Sequence, residues 1–486
     1  MAEGTGEGTE EADTAGHRYE AVARALEEAI EAGVHGPGDR LPGVRKLAAQ
    51  FGVSVSTVVA AEHLLEDRGL IEARPRSGYY VRRHPWQPPE RPATSAPEGE
   101  PVPVTGQALV LRVVQAASEP EVVQMGAAVP HADFLPARGL RRAFAGVPAR
   151  WGGRELAYAF PPGPAELRQA IARRMADAGC QISPEEVVVT NGAQEALVLS
   201  LRAVTEPGDV VAIESPTFYG ILQAIEGLGL RALEIPTDPD EGISPEALAL
   251  ALDQWPVKAA LLMPNFGNPL GHCAGDERKR ALVELLEDRG VPLIEDDVYG
   301  DLPFEPPRPW AAKAFETRGG VLYCGSFSKT LSPGLRVGWA VPGRFRDRLE
   351  YLKYATSSST PAWPGLAVAD FLERGGYDRY LRRARGDYAR AVDRVSRAVA
   401  RHFPPGTRQT RPAGGFVLWL ELPEAVDALA LYRRALEEGI SVAPGPMFSP
   451  TGKFRNHLRL NCAQPWDARL ERALARLGEM AREAAG

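Results

Sequence analysis

Over residues 18–34, RYEAVARALEEAIEAGV, the apolar positions Val22, Ala25, Leu26, Ala29 and Ile30 recur at helical spacing and share one face. GPGDRLPG then interrupts the pattern. VRKLAAQFG reads as a short helix stopped by Gly52. VSVSTVVAAEHLLEDRG reads as a longer one, capped by Ser54 and running amphipathically to Gly69. LIEARPRSGYYVRR changes period: it alternates and turns at Ser77-Gly78, as a hairpin does. Helix, glycine turn and helix, followed by a basic hairpin wing, is the grammar of a helix-turn-helix whose second helix enters the DNA major groove.

Both periods fade between Arg83 and Gly106, where proline and small polar residues dominate, and this predicts a semi-extended linker over 84–106. From about residue 155, short apolar runs alternate with helical stretches. EVVVT precedes GAQEALVLSLRAV, DVVAIE precedes TFYGILQAIEGLG, and KAALLMP precedes a Gly/Pro loop and a long helix; VPLIED and VLYCGS follow. The alternation predicts a mostly parallel sheet covered on both faces. Ligands of such sheets bind outside the carboxyl ends of the strands, and the unusual residues of this body all fall there.

Composition changes this picture little. The chain has 486 residues, 44% hydrophobic and 24% charged, with a net charge of −7, as expected of a soluble globular protein. No apolar run approaches about 18 residues, so no membrane span is expected. Residues 1–16 hold five acids and no base, which predicts a disordered acidic tail rather than a signal peptide. Cys180, Cys273, Cys324 and Cys462 lie far apart without a C-x-x-C pair. That predicts neither a zinc site nor a disulfide framework, and no other metal site is expected. Residues 40–83 carry eight bases against four acids, a patch suited to an anionic partner.

Lysine is scarce: seven of the 56 basic residues, one of them Lys329 in YCGSFSKTLSPGLRVGW. Arginine cannot replace lysine where a deprotonated amine must act as nucleophile. Around it the strand ends supply other chemistry. Gly192, Ala193 and Gln194 open a helix, where free N–H groups bind phosphate. Phe218 or Tyr219 offers a stacking face, and Asn268 precedes a proline in a loop. Asp296 can hold a pyridine nitrogen protonated, and Tyr299 can donate to a phenolate oxygen. Ser326, Ser328 and Arg336 suit a dianionic phosphate. Each residue alone has an ordinary structural reading as turn, cap or packing. The set together fits one ligand, pyridoxal 5′-phosphate.

Residues 33–81 resemble the winged helix-turn-helix of GntR-family regulators, matching G, P-G-D-R-L-P, R-x-L-A, G-V-S, T-V, G-L-I and S-G in order. The resemblance implies that Arg45, Ser54, Ser56, Thr57 and the wing around Arg76 and Gly78 face double-stranded DNA. Gly43 and Val55 stand where that family has a usual Ser and a frequent Arg, so no target sequence is implied. From about residue 125 to 486, the order GAQ, aromatic, N-P, D-x-x-Y and S-x-S-K with Arg at +7 resembles the fold-type I aminotransferases. That implies Lys329 as the Schiff-base lysine, Asp296 at the ring nitrogen, Asn268 and Tyr299 at the ring oxygen and Phe218 stacked on the ring. Gly192, Ala193, Gln194, Ser326, Ser328 and Arg336 would hold the phosphate, with Tyr158 nearby, commonly from a partner subunit. Arg459 in HLRLNCA matches the arginine that takes a substrate carboxylate; its bland alternative is a surface arginine on an edge strand.

The fusion as a whole resembles the MocR-type regulators. It implies a multidomain chain with a disordered tail over 1–16, a winged helix-turn-helix over 17–83, a linker over 84–106 and an aminotransferase-like body over 107–486. In that body a large α/β domain of about 151–340 is joined by a smaller α+β domain, about 341–486 with the 107–150 segment. The resemblance further implies a cytoplasmic homodimer that binds DNA, needs pyridoxal phosphate and senses an amino compound, or the cofactor itself, through a Lys329 aldimine. The alternative is an active aminotransferase of amino acids that carries a DNA-binding domain.

Overall fold

The computed structural model describes residues 10–31, 34–35, 38–74, 77–82, 88–105, 108–116 and 119–486. The chain forms two compact units, Met1–Pro88 with Asp393–Arg401 and Pro89–Val392 with His402–Gly486.

The first unit holds α1 (Glu10–Glu31), α2 (Val44–Phe51), α3 (Val55–Asp67) and the antiparallel hairpin β1 (Ile71–Arg74) and β2 (Gly78–Val81). Val22 and Leu26 of the predicted α1 face are buried, joined by Ala23, while Ala25, Ala29 and Ile30 are only partly covered. They meet Leu41, Leu47, Val58, Ala61, Leu65, Ile71 and Val81 in one small aliphatic core. α2 ends where Gly52 takes φ +65°, a left-handed cap that costs glycine no Cβ clash. α3 begins at Ser54, whose hydroxyl accepts the Thr57 N–H at 3.1 Å. α1 starts at Glu10, inside the stretch expected as a tail over 1–16. No proline interrupts the run from Glu10, and extending a nucleated helix costs far less than starting one. Arg76 in the wing lies outside the described residues, as do residues 1–9 of the expected tail.

In the second unit the first strands are β3 (Val102–Pro103), β4 (Val123–Gln124), β5 (Val188–Thr190), β6 (Val210–Ser215), β7 (Arg231–Asp238) and β8 (Gly242–Ile243). β9 (Val257–Leu262), β10 (Leu293–Asp296), β11 (Val321–Ser326) and β12 (Gly338–Val341) follow. All of these but β4 form a sheet in the order β3-β7-β6-β9-β10-β11-β12-β5, with β8 paired to β7. The pairs from β7 to β11 are parallel; β12 runs against both its neighbours and β3 against β7. Every position of β6 and β11 is buried, which explains their unbroken apolar runs: a strand covered on both faces has no reason to alternate.

A second, antiparallel sheet joins β13 (Arg408–Gln409), β14 (Val417–Glu421), β16 (Ala443–Pro444) and β17 (His457–Asn461) in the order β13-β14-β17-β16. β15 (Ile440–Ser441) pairs instead with β4, which brings the segment before residue 150 onto this smaller domain. Of the stretch expected as a linker over 84–106, residues 88–105 are described; from Pro89 onward they belong to the second unit, where β3 adds to the edge of the large sheet. No helix among the described residues is long and apolar enough to cross a membrane.

Candidate functional site

The carboxyl ends of the large-sheet strands surround a cavity of about 230 Å³, lined among others by Ala193, Gln194, Phe218, Asn268, Asp296, Tyr299, Ser326, Ser328, Lys329 and Arg336. These ten come from six separate stretches of sequence. The sheet brings them together because each follows a strand that points the same way.

At one end lies a cradle. Gly192 caps the helix Ala193–Val204 with φ +84°, and a Cβ there would stand 2.3 Å from the Arg336 guanidinium. The positive φ favours glycine here, and any Cβ would displace the guanidinium from its place across the turn. Arg336 donates to the Asn191 carbonyl at 2.9 Å and reaches the Ser328 hydroxyl at 3.5 Å. Ser326 donates to Ser328 at 2.8 Å. The unpaired N–H groups of a helix start, two hydroxyls and a guanidinium suit a phosphate dianion. Gln194 turns its amide to the Gly220 carbonyl at 2.7 Å and so braces the turn that carries Phe218. Phe218 forms a wall of the cavity; Tyr219, the other aromatic at that turn, is buried against Phe448.

At the other end the polar groups are deeply buried and short of partners. Asp296 ends β10, and its Oδ1 has no hydrogen-bond partner among the described residues. Burial, and then the neighbouring Asp297, push its carboxyl up to about 7, against an opposing pull from Lys329. The Tyr299 hydroxyl lies close to the Asn268 amide but closes no hydrogen bond with it, and burial raises it far above the ordinary phenol range. Lys329 donates to the Ala128 carbonyl at 2.7 Å. Burial, then the charges of Arg459 and Arg336, bring its amine down to about 8. A good share of it is therefore neutral near pH 8, the state a nucleophilic amine needs.

Arg459 sits on β17 between β14 and β16, fully buried, and so is not the surface edge-strand arginine of the alternative reading. It donates to the Gly126 carbonyl and reaches Asn268 at 3.4 Å, while its Nε has no partner among the described residues. It stands beside the cavity rather than in its lining. Tyr158 is 76% exposed and lines an adjoining open cleft with Asn191, Arg336 and Thr360. The carbonyls of Gly126 and Ala128, and the wall residues Val129, Leu197, Met263, Val298 and Pro333, are contributors that sequence reading missed. Backbone oxygens carry no residue-type signal, and the small-residue run MGAAVP was the only trace of a close approach.

The donor set fits pyridoxal phosphate on chemistry alone. A Cβ-free anion cradle, an aromatic wall, an amine, an unpartnered carboxylate oxygen and an unpartnered phenol each match one part of that molecule.

On the first unit, Arg45 is exposed on α2, and Ser54, Val55 and Ser56 are exposed at the start of α3. Ser54 Oγ stands 2.8 Å from both Ser56 Oγ and Thr57 Oγ1, so its oxygen is engaged in the cap. In the wing Gly78 holds φ +99°, and the Arg74 guanidinium lies 4.3 Å from the Tyr80 ring centre. Exposed hydroxyls at the head of a second helix, with an arginine on the first, are groups suited to a phosphate backbone.

Residues 18–81 match the family described as bacterial regulatory proteins, gntR family, and residues 137–477 match aminotransferase class I and II. The chain is 42% identical to the HTH-type transcriptional regulator YjiR of Escherichia coli over 95% of this chain and 98% of that protein. It belongs to the MocR-type regulators. YdcR of the same organism is 43% identical over 96% of this chain and 99% of its own. The 2-aminoadipate transaminase of Thermus thermophilus is 33% identical over 74% of this MocR-type chain and 89% of the enzyme. Among solved structures, LysN of Thermus thermophilus, an alpha-aminoadipate aminotransferase complexed with N-(5'-phosphopyridoxyl)-L-leucine, superposes with a TM-score of 0.72 at 30% identity. The superposition covers 78% of this chain and 95% of LysN. The gntR-type domain makes this MocR-type chain a DNA-binding regulator, and its body carries the aminotransferase class I/II fold.

Proposed function

We propose that the protein is a cytoplasmic, homodimeric transcription regulator whose second unit holds pyridoxal phosphate and answers to an amino acid or related amine. One observation carries this reading. The Lys329 amine, the unpartnered Asp296 oxygen and the Arg336 cradle converge on a single cavity, in a chain that also bears a helix-turn-helix. When bound, pyridoxal phosphate supplies an aldehyde that takes up amines and a ring that withdraws electrons from them.

The chain's own residues divide the work. Gly192, Ala193, Gln194, Ser326, Ser328 and Arg336 anchor the phosphate end. Phe218 covers the ring, Asp296 accepts the hydrogen bond of the ring nitrogen, and Asn268 and Tyr299 face the ring oxygen. Lys329 holds the aldehyde carbon, and its low basicity keeps part of the amine unprotonated. Arg459 receives a ligand carboxylate; as its Nε lacks a partner, the carboxylate satisfies a donor the protein leaves open. Tyr158 stays exposed and is offered to a partner subunit's cradle. Arg45, Ser56 and Thr57 contact DNA with the wing residues Arg76 and Gly78, while Ser54 sets the helix start.

A second reading, a working aminotransferase that carries a DNA reader, draws on the same low basicity of Lys329, which also suits a base that moves a proton. One experiment separates the two. The visible spectrum of the purified protein is recorded before and after a panel of amino acids and amines. A cofactor band that shifts and stays shifted supports a sensor. A band that disappears as a keto acid accumulates supports the enzyme, and no cofactor band at all sinks both.

A further inference from the structure

We propose that Lys353 and Glu195 are positioning residues for the phosphate cradle. From behind it, this ion pair fixes the turn that Arg336 grips, and the lysine cancels a carboxylate charge that would otherwise repel the phosphate. The proposal rests on the reading above in one respect, that the cradle takes the phosphate of pyridoxal phosphate.

Neither residue lines the cavity. Lys353 lies on the helix Arg346–Ser357 and is fully buried. Glu195 lies in the first turn of the helix Ala193–Val204, whose start forms the cradle. The Lys353 ammonium donates to both Glu195 oxygens, at 2.9 and 3.2 Å, and to the Ser357 hydroxyl at 2.6 Å. Ser357 in turn donates to Glu195 at 2.8 Å. Glu195 reaches back to the turn, accepting the Asn191 N–H at 2.6 Å and the Asn191 side-chain amide at 3.2 Å. The Asn191 carbonyl accepts from Arg336. One residue of the turn is thus held on its N–H side by the pair and on its carbonyl side by the arginine of the cradle.

A bare carboxylate in this place would work against the site. Free N–H groups at a helix start attract an anion, and a negative charge in the same turn repels it. Burial pushes the Glu195 carboxyl up, but the Asn191 N–H, Lys353 and Ser357 outweigh burial and hold it below the ordinary carboxylate range. Glu195 is therefore ionised at neutral pH. The Lys353 ammonium offsets that charge away from solvent, where water screens little and a charge acts over a longer distance. The contacts of Lys353 run to Glu195, Ser357 and the Ser359 carbonyl, so the effect of the pair falls on phosphate recognition rather than on the ring end of the cavity.

The test titrates the full-length chain with N-(5'-phosphopyridoxyl)-L-leucine and with the same compound lacking its phosphate, N-pyridoxyl-L-leucine. Lys353→Met leaves the Glu195 charge uncompensated and is expected to weaken the phosphorylated probe by about 30-fold while the other stays within about twofold. Lys353→Met/Glu195→Gln removes both charges together, leaves no buried charge to unfold the chain, and is expected to lose only about fivefold, again for the phosphorylated probe alone. Equal weakening of both probes assigns the pair to general stability and overturns the proposal, as does an unchanged affinity for the phosphorylated probe. If the single variant does not fold, the double variant decides by the same comparison. Failure of the unaltered chain to bind the phosphorylated probe overturns the site reading and the proposal with it.

Discussion

Of the candidate DNA-contacting residues, Arg45, Ser54, Ser56 and Gly78 are exposed on the first unit, over an aliphatic core in which Val58, Ala61 and Leu65 pack as in any small helical domain. Of the candidate ligand-contacting residues of the second unit, Asn268, Asp296, Tyr299, Ser326, Ser328 and Arg459 are buried, and several polar atoms there have no partner among the described residues. The contrast follows from what each region meets. A duplex presents a continuous charged surface, so exposed hydroxyls and guanidinia lose little water before it arrives. A small ligand gains by leaving water entirely, so its site must hold desolvated groups whose cost is offset only on binding. Asp296, raised to about 7, shows that cost directly.

The comparison breaks most sharply at Lys329. Lys329→Ala should remove the absorption that arises from covalent attachment of the cofactor to the lysine, while DNA affinity, read by fluorescence anisotropy, stays within about threefold. Loss of DNA binding in a folded variant would mean that the two regions do not act separately and that cofactor occupancy is itself the switch. Asp296→Asn comes next, with cofactor affinity expected to fall by about 100-fold in an equilibrium titration as a charge-assisted bond is lost. The same variant tests the strain. The Asp296 carboxyl titrates at about 7 in the folded chain against 3.8 ordinarily, so folding takes up a proton between those values. Stability of the cofactor-free chain therefore falls as pH rises from about 4 through 7, and this group's share of the fall is missing in Asp296→Asn. Thermal melts at pH 5 and pH 8 read the difference.

Effects at the first unit are smaller because each contact is one of many and already solvated. Arg45→Ala should weaken DNA binding by about five- to tenfold and lower the salt slope by about 1, with cofactor uptake unchanged. An unaltered salt slope would remove Arg45 from the DNA face. The smallest change sharpens the comparison on the structural side. Ser54→Ala removes the α3 cap and is expected to cost about 1 kcal/mol, read as a lower melting temperature of the first unit.

Much of this was legible in the chain. The helix-turn-helix, its Ser54 cap and its Gly52 stop are local features, decided by residues a few positions apart, and α2, α3 and the hairpin lie where the pattern places them. The strand–helix alternation and the motifs at strand ends likewise pointed to the carboxyl ends of the strands, where the cavity lies. What was not legible depends on residues far apart in sequence. The partnerless state of Asp296 and the approach of Ala128 to Lys329 arise only when separate segments converge. The Pro-rich stretch after residue 88 reads as a spacer because proline suppresses both periods. Its carbonyls and side chains are nonetheless pinned to two sheets, since an extended chain keeps its hydrogen-bonding groups free for edge partners.

By itself, then, the amino-acid sequence determined which elements form and which chemical groups stand at their ends, because helix caps, strand runs and glycine turns are short-range effects. Tertiary structure alone decided that Arg459 is an interior residue, that Phe218 rather than Tyr219 faces the cavity, and that the stretch from Pro89 hydrogen-bonds to both sheets. Burial, desolvation and long-range hydrogen bonding are properties of what surrounds a group, and those surroundings are assembled from the whole chain.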